Sequence, residues 1–340
     1  MNWRYGLLLV PALAWSQTPP VAPLRYVDVH VHPIAGSMEE PRAVMKEAGI
    51  RAMVLMPPPQ VSGMRRIADH ESFVAAVRDQ PASFAFLGGG GSLNLMIHDT
   101  AAERVDTAVR ERFAARARKI LADGAAGFGE MSPHHLSAMP GHPYESVPAD
   151  HPLFLLLADI AAENNAVIDL HFDLVARDTV LPPRFSASLN PGTLRANLEG
   201  FERLLAHNRG ARVVWAHAGS DRIGHWTPQL SRTLLARHPN LYMSIRLGLA
   251  KMAVPNAMLL PDAGLDPEWR AVLEEYSDRF VVGGDQFFVT GLQGSGPGIE
   301  FSRLAPAQRQ LQAALLALLP PETARRIGYE NALRLYRIRD

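Results

Sequence analysis

The residues of this chain best suited to chemistry are His30, His32, Glu130, His171, His217 and Asp285. Imidazole and carboxylate are the ligand types for a borderline divalent ion such as zinc, and a catalytic site of that kind keeps one position open for water. On an extended strand, residues two apart point to the same side, so the His30-Val31-His32 spacing can aim both rings at one ion while Val31 packs outward. A lone His-x-His pair is weak evidence. Its weight depends on whether the fold brings the other four residues to it.

The elements that must do so are short apolar strands. Runs rich in β-branched residues stand at Tyr26 to Val31, Ala52 to Met56, Phe84 to Leu87, Gly127 to Met131, Val167 to His171, Arg212 to His217, Leu241 to Ile245 and Phe280 to Gly284. Between them lie stretches with helical spacing, such as Glu103 to Leu121, Leu153 to Glu163, Leu194 to Ala206, Pro228 to Arg237 and Pro267 to Tyr276. Eight strands alternating with helices predict a (β/α)8 TIM barrel. Runs such as Ala211-Arg212-Val213-Val214-Trp215-Ala216 suit parallel strands buried on both sides. After the eighth strand, Ala305 to Leu319 and Thr323 to Tyr336 read as terminal helices separated by Pro320-Pro321. No linker or repeat interrupts residues 26–340, which read as one domain. The candidate residues then fall at strand ends, on the face where barrel enzymes place their chemistry: His30 and His32 on the first strand, Glu130 on the fourth, His171 on the fifth, His217 on the sixth, and Asp285 after the eighth.

Asp28-Val29-His30-Val31-His32-Pro33, the strand-end histidines His171 and His217, and Gly284-Asp285 together resemble the amidohydrolase superfamily, most closely its amidohydrolase-related branch. The resemblance runs from about Tyr26 to the end and includes Tyr329 to Tyr336, which is similar to the closing helix of that branch. It implies that His30, His32 and Asp285 hold the deeper metal. His171 either joins them or binds a second metal with His217. Gly127-Phe128-Gly129-Glu130 resembles the form in which a strand-four glutamate bridges two ions, so one or two ions are both open. Zinc is the first expectation, with manganese or another divalent ion as alternatives. With one ion, His217 is left as a base or a water-orienting group. Asp285 is implied as the residue that takes a proton from water and passes it to the leaving group. The activity implied is hydrolysis of an amide, lactone, lactam or ester in a small organic substrate. A decarboxylase of the same branch, or a barrel that binds without turnover, are the competing readings.

Weaker signals lie near the same face. Asp28, two residues before His30, is expected to share its inward direction, either orienting a ligand ring or lying as a buried carboxylate satisfied by barrel neighbours. Arg246, just past the seventh strand, is a candidate for a substrate carboxylate. His134 and His135 read as exposed-loop residues, Gly88 to Gly91 as a flexible turn, and Asp173 and Arg184 as parts of an irregular segment able to touch substrate. No Gly-x-Ser-x-Gly elbow is present.

Thirty-four basic residues balance thirty-four acidic ones, so the summed field offers no long-range attraction for nucleic acid or an anionic membrane. A small-molecule substrate fits better, and a homo-oligomer is compatible with this composition. The absence of cysteine excludes thiolate zinc sites, disulfides and a cysteine nucleophile. Arg4, the apolar stretch Tyr5 to Trp15 and the small residues around Ser16 read as a signal peptide over residues 1–16, with residues 17–25 as a leader. The protein is therefore expected to be exported, to the periplasm or beyond. The apolar stretch falls short of the about 20 residues a stable membrane anchor needs.

Overall fold

The computed structural model describes residues 25–339, apart from 35–37, 65–67, 138–142, 187–188, 248–254, 261–263 and 290–296. The expected signal peptide and all of the leader except Arg25 lie outside the described residues. The strands are β1 (Tyr26–Pro33), β2 (Ile50–Leu55), β3 (Phe84–Gly89), β4 (Gly127–His135), β5 (Val167–Phe172), β6 (Arg212–Ala218), β7 (Leu241–Ile245) and β8 (Phe280–Val282). Each pairs in parallel with the next, and β8 returns to β1 with Val282 opposite Asp28, which closes the barrel. After Gly283, Gly284 and Asp285 the chain resumes pairing with β1 as β9 (Gln286–Phe288).

Helices fill the crossovers: α1 (Glu39–Ala48), α2 (Val74–Asp79), α3 (Leu93–His98), α4 (Thr107–Ala122), α5 (Pro152–Glu163), α6 (Leu198–His207), α7 (Pro228–Arg237) and α8 (Pro267–Glu275), and α9 (Pro297–Leu318) follows the last strand. Several start on one device, a capping side chain followed by proline. Thr227 accepts from the Leu230 amide ahead of Pro228, and Asp266 accepts from the Glu268 and Trp269 amides ahead of Pro267. Proline at the first helical position loses no hydrogen bond, because that amide has no partner within the helix.

Several helices depart from expectation, among them α4, which begins at Thr107 rather than Glu103. α6 begins at Leu198, since Thr193–Leu194 instead pairs antiparallel with Thr179–Val180. α9 begins earlier than Ala305 and carries Pro306 inside it. The helix expected from Thr323 to Tyr336 divides into α10 (Pro321–Arg325), a π turn over Arg326–Glu330, and α11 (Asn331–Tyr336).

Two apolar layers hold the barrel. The outer layer, between strands and helices, includes Phe113, Phe154, Phe201, Trp215 and Trp269. The inner layer includes Val27, Val29, Val54, Leu87, Val214 and Val281, and is closed at the floor by Ala332, Leu335, Tyr336 and Ile338.

The register of β1 decides where its polar residues point. Asp28 lies opposite Met53 and Val31 opposite Leu55, so β1 has one residue more than β2 over this span. Such a β-bulge resets the in-and-out alternation. Val27 and Val29 face the inner layer, yet His30 faces inward as well, while Asp28 turns away from its ring. Asp28 accepts instead from the amides of His30 and Gly284 and from the Gln286 side chain. The expectation that Asp28 shares the inward direction of His30 is therefore corrected.

Candidate metal centre

The barrel mouth gathers His30 and His32 from β1, Glu130 from β4, His171 from β5, His217 from β6, and Asp285 from the turn after β8. All six are buried. Space for them comes from glycine. A Cβ on Gly283 would lie 3.1 Å from the His30 Cβ and 3.0 Å from the Ser244 Cβ, while one on Gly129 would lie 2.9 Å from the Asp169 Cβ. His217 and Asp285 have φ of 75° and 51°, in the left-handed region that non-glycine residues adopt at a cost of about 1 kcal/mol or more. Such strain is concentrated at active sites and ligand clamps.

Two clusters of inward atoms share Glu130, and His217 also lies close enough to His30 and Asp285 to form a ligand set with them. In the deeper group, His30 Nε2 and His32 Nε2 are 3.1 Å apart. Glu130 Oε2 lies 3.5 Å from His30 Nε2 and 3.3 Å from His32 Nε2, and Asp285 Oδ1 lies 3.3 Å from His32 Nε2. In the outer group, His171 Nδ1 and His217 Nε2 are 3.0 Å apart, and Glu130 Oε1 lies 2.9 Å and 3.3 Å from them. Two ligands of a tetrahedral ion with bonds of about 2.0–2.1 Å stand about 3.3 Å from each other. Both groups therefore have the spacing of a ligand set, and Glu130 gives one oxygen to each.

Three of the four outward ring nitrogens face an acceptor of the kind that orients a ligand imidazole. His32 Nδ1 faces the Met56 carbonyl at 3.0 Å, His30 Nδ1 faces Asp169 Oδ1 at 3.2 Å, and His171 Nε2 faces Asp173 Oδ2 at 3.4 Å.

Electrostatics point the same way. Burial opposes a charge on His30, yet the carboxylates of Asp169 and Glu130 outweigh it and hold its pKa well above the imidazole range. His32 is raised against its burial by Asp285 and Glu130, and His171 is raised to about 9 against its burial by Asp173 and Glu130. Glu130 is held well below the carboxylate range despite burial, by the His30 charge and by hydrogen bonds to His171 and His217. Asp285 is likewise lowered against burial, by the Arg246 charge and by His32. The cavity thus stabilises positive charge. Protons supply it in the metal-free chain, and a divalent ion would displace them, so the residues present fit a metal. His217 is the exception: burial pushes it down to about 3, which keeps its ring neutral.

Arg246 sits beside this centre, with Nε 3.1 Å from Asp285 Oδ2. It also lines a recess of about 10 Å³, room for about one water, along with His171, His217, Ser220, Arg222 and Trp226. Arg184 is not among the gathered residues; it donates to the Arg222 carbonyl at the surface.

Two expectations for the mouth need correction. His134 and His135 are buried at the end of β4, because two register shifts against β5 carry that strand past Pro133. The His135 ring lies against that of His171, with centroids 3.9 Å apart. Of the segment Gly88 to Gly91, only Gly90 and Gly91 form a turn; Gly88 and Gly89 close β3 in a packed environment, where a Cβ on Gly88 would meet Ile120 at 2.8 Å and His70 at 2.9 Å. Sequence reading missed Asp169. Its signal was a carboxylate inside an otherwise apolar strand, two residues before His171.

The family model described as Amidohydrolase matches residues 27–338. The chain belongs to the amidohydrolase family. No curated protein matches it. Among solved structures, it is similar to a dihydroxybenzoic acid decarboxylase from Polaromonas with bound manganese and an inhibitor, at 12% identity and a TM-score of 0.49, covering 92% of this chain and 97% of that one. It is also similar to 4-oxalomesaconate hydratase from Rhodopseudomonas palustris, at 12% identity and 0.46, covering 92% and 95%. Dihydroorotase from Saccharomyces cerevisiae stands at 11% and 0.46, covering 93% and 85%. Likeness at this level shows the fold alone.

Proposed function

We propose that this amidohydrolase-family protein is a hydrolase with two divalent ions, zinc by preference of the donor set, that cleaves an amide, lactone, lactam or ester bond of a small organic molecule. The observation that carries the reading is the division of Glu130, with one oxygen toward each pair of imidazoles. His30, His32 and Asp285 would complete the deeper position, and His171 and His217 the outer one. Ions held there supply Lewis acidity toward a carbonyl oxygen and bring the pKa of coordinated water toward neutrality.

The chain's own groups do the rest. Asp285 is ionised at neutral pH and aims Oδ1 into the cluster, where it can take a proton from water and pass it to the leaving group. Arg246 holds the other oxygen and fixes the angle of the carboxylate. The neutral ring of His217 keeps its Nε2 lone pair available to the outer position.

The test is turnover on a panel of lactones, lactams, esters and amides with zinc-loaded protein, alongside carboxylated aromatics. Hydrolysis that is lost in His30→Ala supports the reading. Carbon dioxide release from the aromatics without hydrolysis would replace it with a decarboxylase. Export is part of the same proposal, on the strength of Arg4 and the apolar run that follows; a mature N-terminus beginning after Ser16 would support it.

A further inference from the structure

One strand serves both groups of ligands. β5 and the residue after it read Val167-Ile168-Asp169-Leu170-His171-Phe172-Asp173. Ile168, Leu170 and Phe172 belong to the outer apolar layer, so alternation turns Asp169, His171 and Asp173 to the barrel side. His171 is a candidate ligand, and the carboxylates on either side of it face the outward nitrogens of two different rings.

Asp169 lies below the centre and is fully buried. Neither of its oxygens accepts a hydrogen bond of normal geometry, although Oδ1 is 3.2 Å from His30 Nδ1. A buried carboxylate without donors is costly, so this one calls for a reason. The basic atom facing it is His30 Nδ1, itself buried without a hydrogen bond of normal geometry, and His30 Nε2 is turned to His32 and Glu130. Asp173 stands at the outer end of the strand. Its Oδ2 accepts from the Leu136 amide at 2.7 Å and faces His171 Nε2 at 3.4 Å, while Oδ1 is 3.6 Å from Arg222 Nε. His171 Nδ1 is turned to Glu130 and His217.

Each group of ligands thus has one imidazole backed by a carboxylate and one that is not. His32 is backed by the Met56 carbonyl, and His217 Nδ1 has no hydrogen-bond partner among the described residues.

We propose that Asp169-x-His171-x-Asp173 is a paired orienting device, in which Asp169 sets the His30 ring for the deeper position and Asp173 sets the His171 ring for the outer one. Both aspartates are positioning residues. The inference rests on the two-position reading above and assigns each position its own control. Removing one carboxylate weakens its own position and spares the other.

The experiment is zinc titration by calorimetry of the chelator-stripped full chain, in two backgrounds that each cripple one position. In His217→Ala, which leaves the deeper position, Asp169→Asn should weaken zinc binding roughly 10- to 100-fold and Asp173→Asn should leave it unchanged. In His30→Ala, which leaves the outer position, the two effects should exchange. Equal losses in both backgrounds, or none, overturn the inference. A second measurement needs no variant. In zinc-loaded wild-type protein, nitrogen chemical shifts should show the proton on Nδ1 of His30 and on Nε2 of His171, and the opposite tautomers overturn it. Wild-type protein that takes up no zinc overturns the two-ion reading and this inference together, whereas two-ion uptake with unmoved variants overturns this inference alone.

Discussion

Glu145 offers a test of the physical reasoning that is independent of turnover. The two-residue strand Glu145–Ser146 pairs antiparallel with His134 and His135, and the Glu145 side chain is buried. Its nearest basic group, His98 Nε2, is 3.8 Å from Oε2 and is itself kept toward the neutral form by burial. Burial therefore raises the Glu145 carboxyl from 4.5 to about 7, and the neighbouring Ser132 and the charge of His171 offset this only in part. A raised acid stabilises the fold through its protonated form, so that contribution is complete below pH 4.5 and disappears as pH climbs through 7. At about 1.4 kcal/mol per pH unit, the gap is worth about 3 kcal/mol. Glu145→Gln keeps the shape of the protonated acid and removes the titration. In urea unfolding of chelator-treated protein, the variant should match wild type near pH 4.5 and exceed it by about 3 kcal/mol near pH 8.5. The imidazoles of the centre titrate in both proteins, so the difference reports Glu145 together with its coupling to His171. A stability difference that stays constant across this range would refute the reasoning.

Other outcomes follow from the same geometry. Glu130→Gln removes the shared carboxylate and leaves buried imidazoles facing two cations, so zinc should bind the weaker position at least about 100-fold less tightly, as calorimetry would read. Asp285→Asn keeps the shape but cannot take a proton, and steady-state kinetics should show kcat lower by roughly 10²- to 10⁴-fold. Gly129→Ala would drive its methyl to 2.9 Å from both the Asp169 Cβ and Leu87 Cδ1, and should destabilise the barrel by about 1–3 kcal/mol in urea unfolding.

Much of this architecture was legible because each signal was strong where it was local. Parallel strands buried on both sides appear as apolar runs, and β5 through β8 lie almost where those runs do. The six centre residues stand out because they are polar residues ending apolar strands. What the sequence hid was register. The bulge in β1 depends on its pairing with β2, and a strict period of two therefore assigned Asp28 the wrong direction. The extension of β4 through Pro133 to His135 likewise depends on shifts against β5, and proline there argued for a loop. α2 and α3, six residues each, are too short for helical periodicity to mark them. The pairing of Asp169 with His30 joins two strands that are not neighbours in the barrel, which no spacing along the chain reveals.

The central claim is that Glu130 divides one cavity into two metal positions. Its most direct test is the number of divalent ions per chain, measured by elemental analysis of protein purified without chelator and equilibrated with zinc. Two ions per wild-type chain, with fewer in Glu130→Gln, is the result expected. One ion or none in the wild-type chain would contradict it.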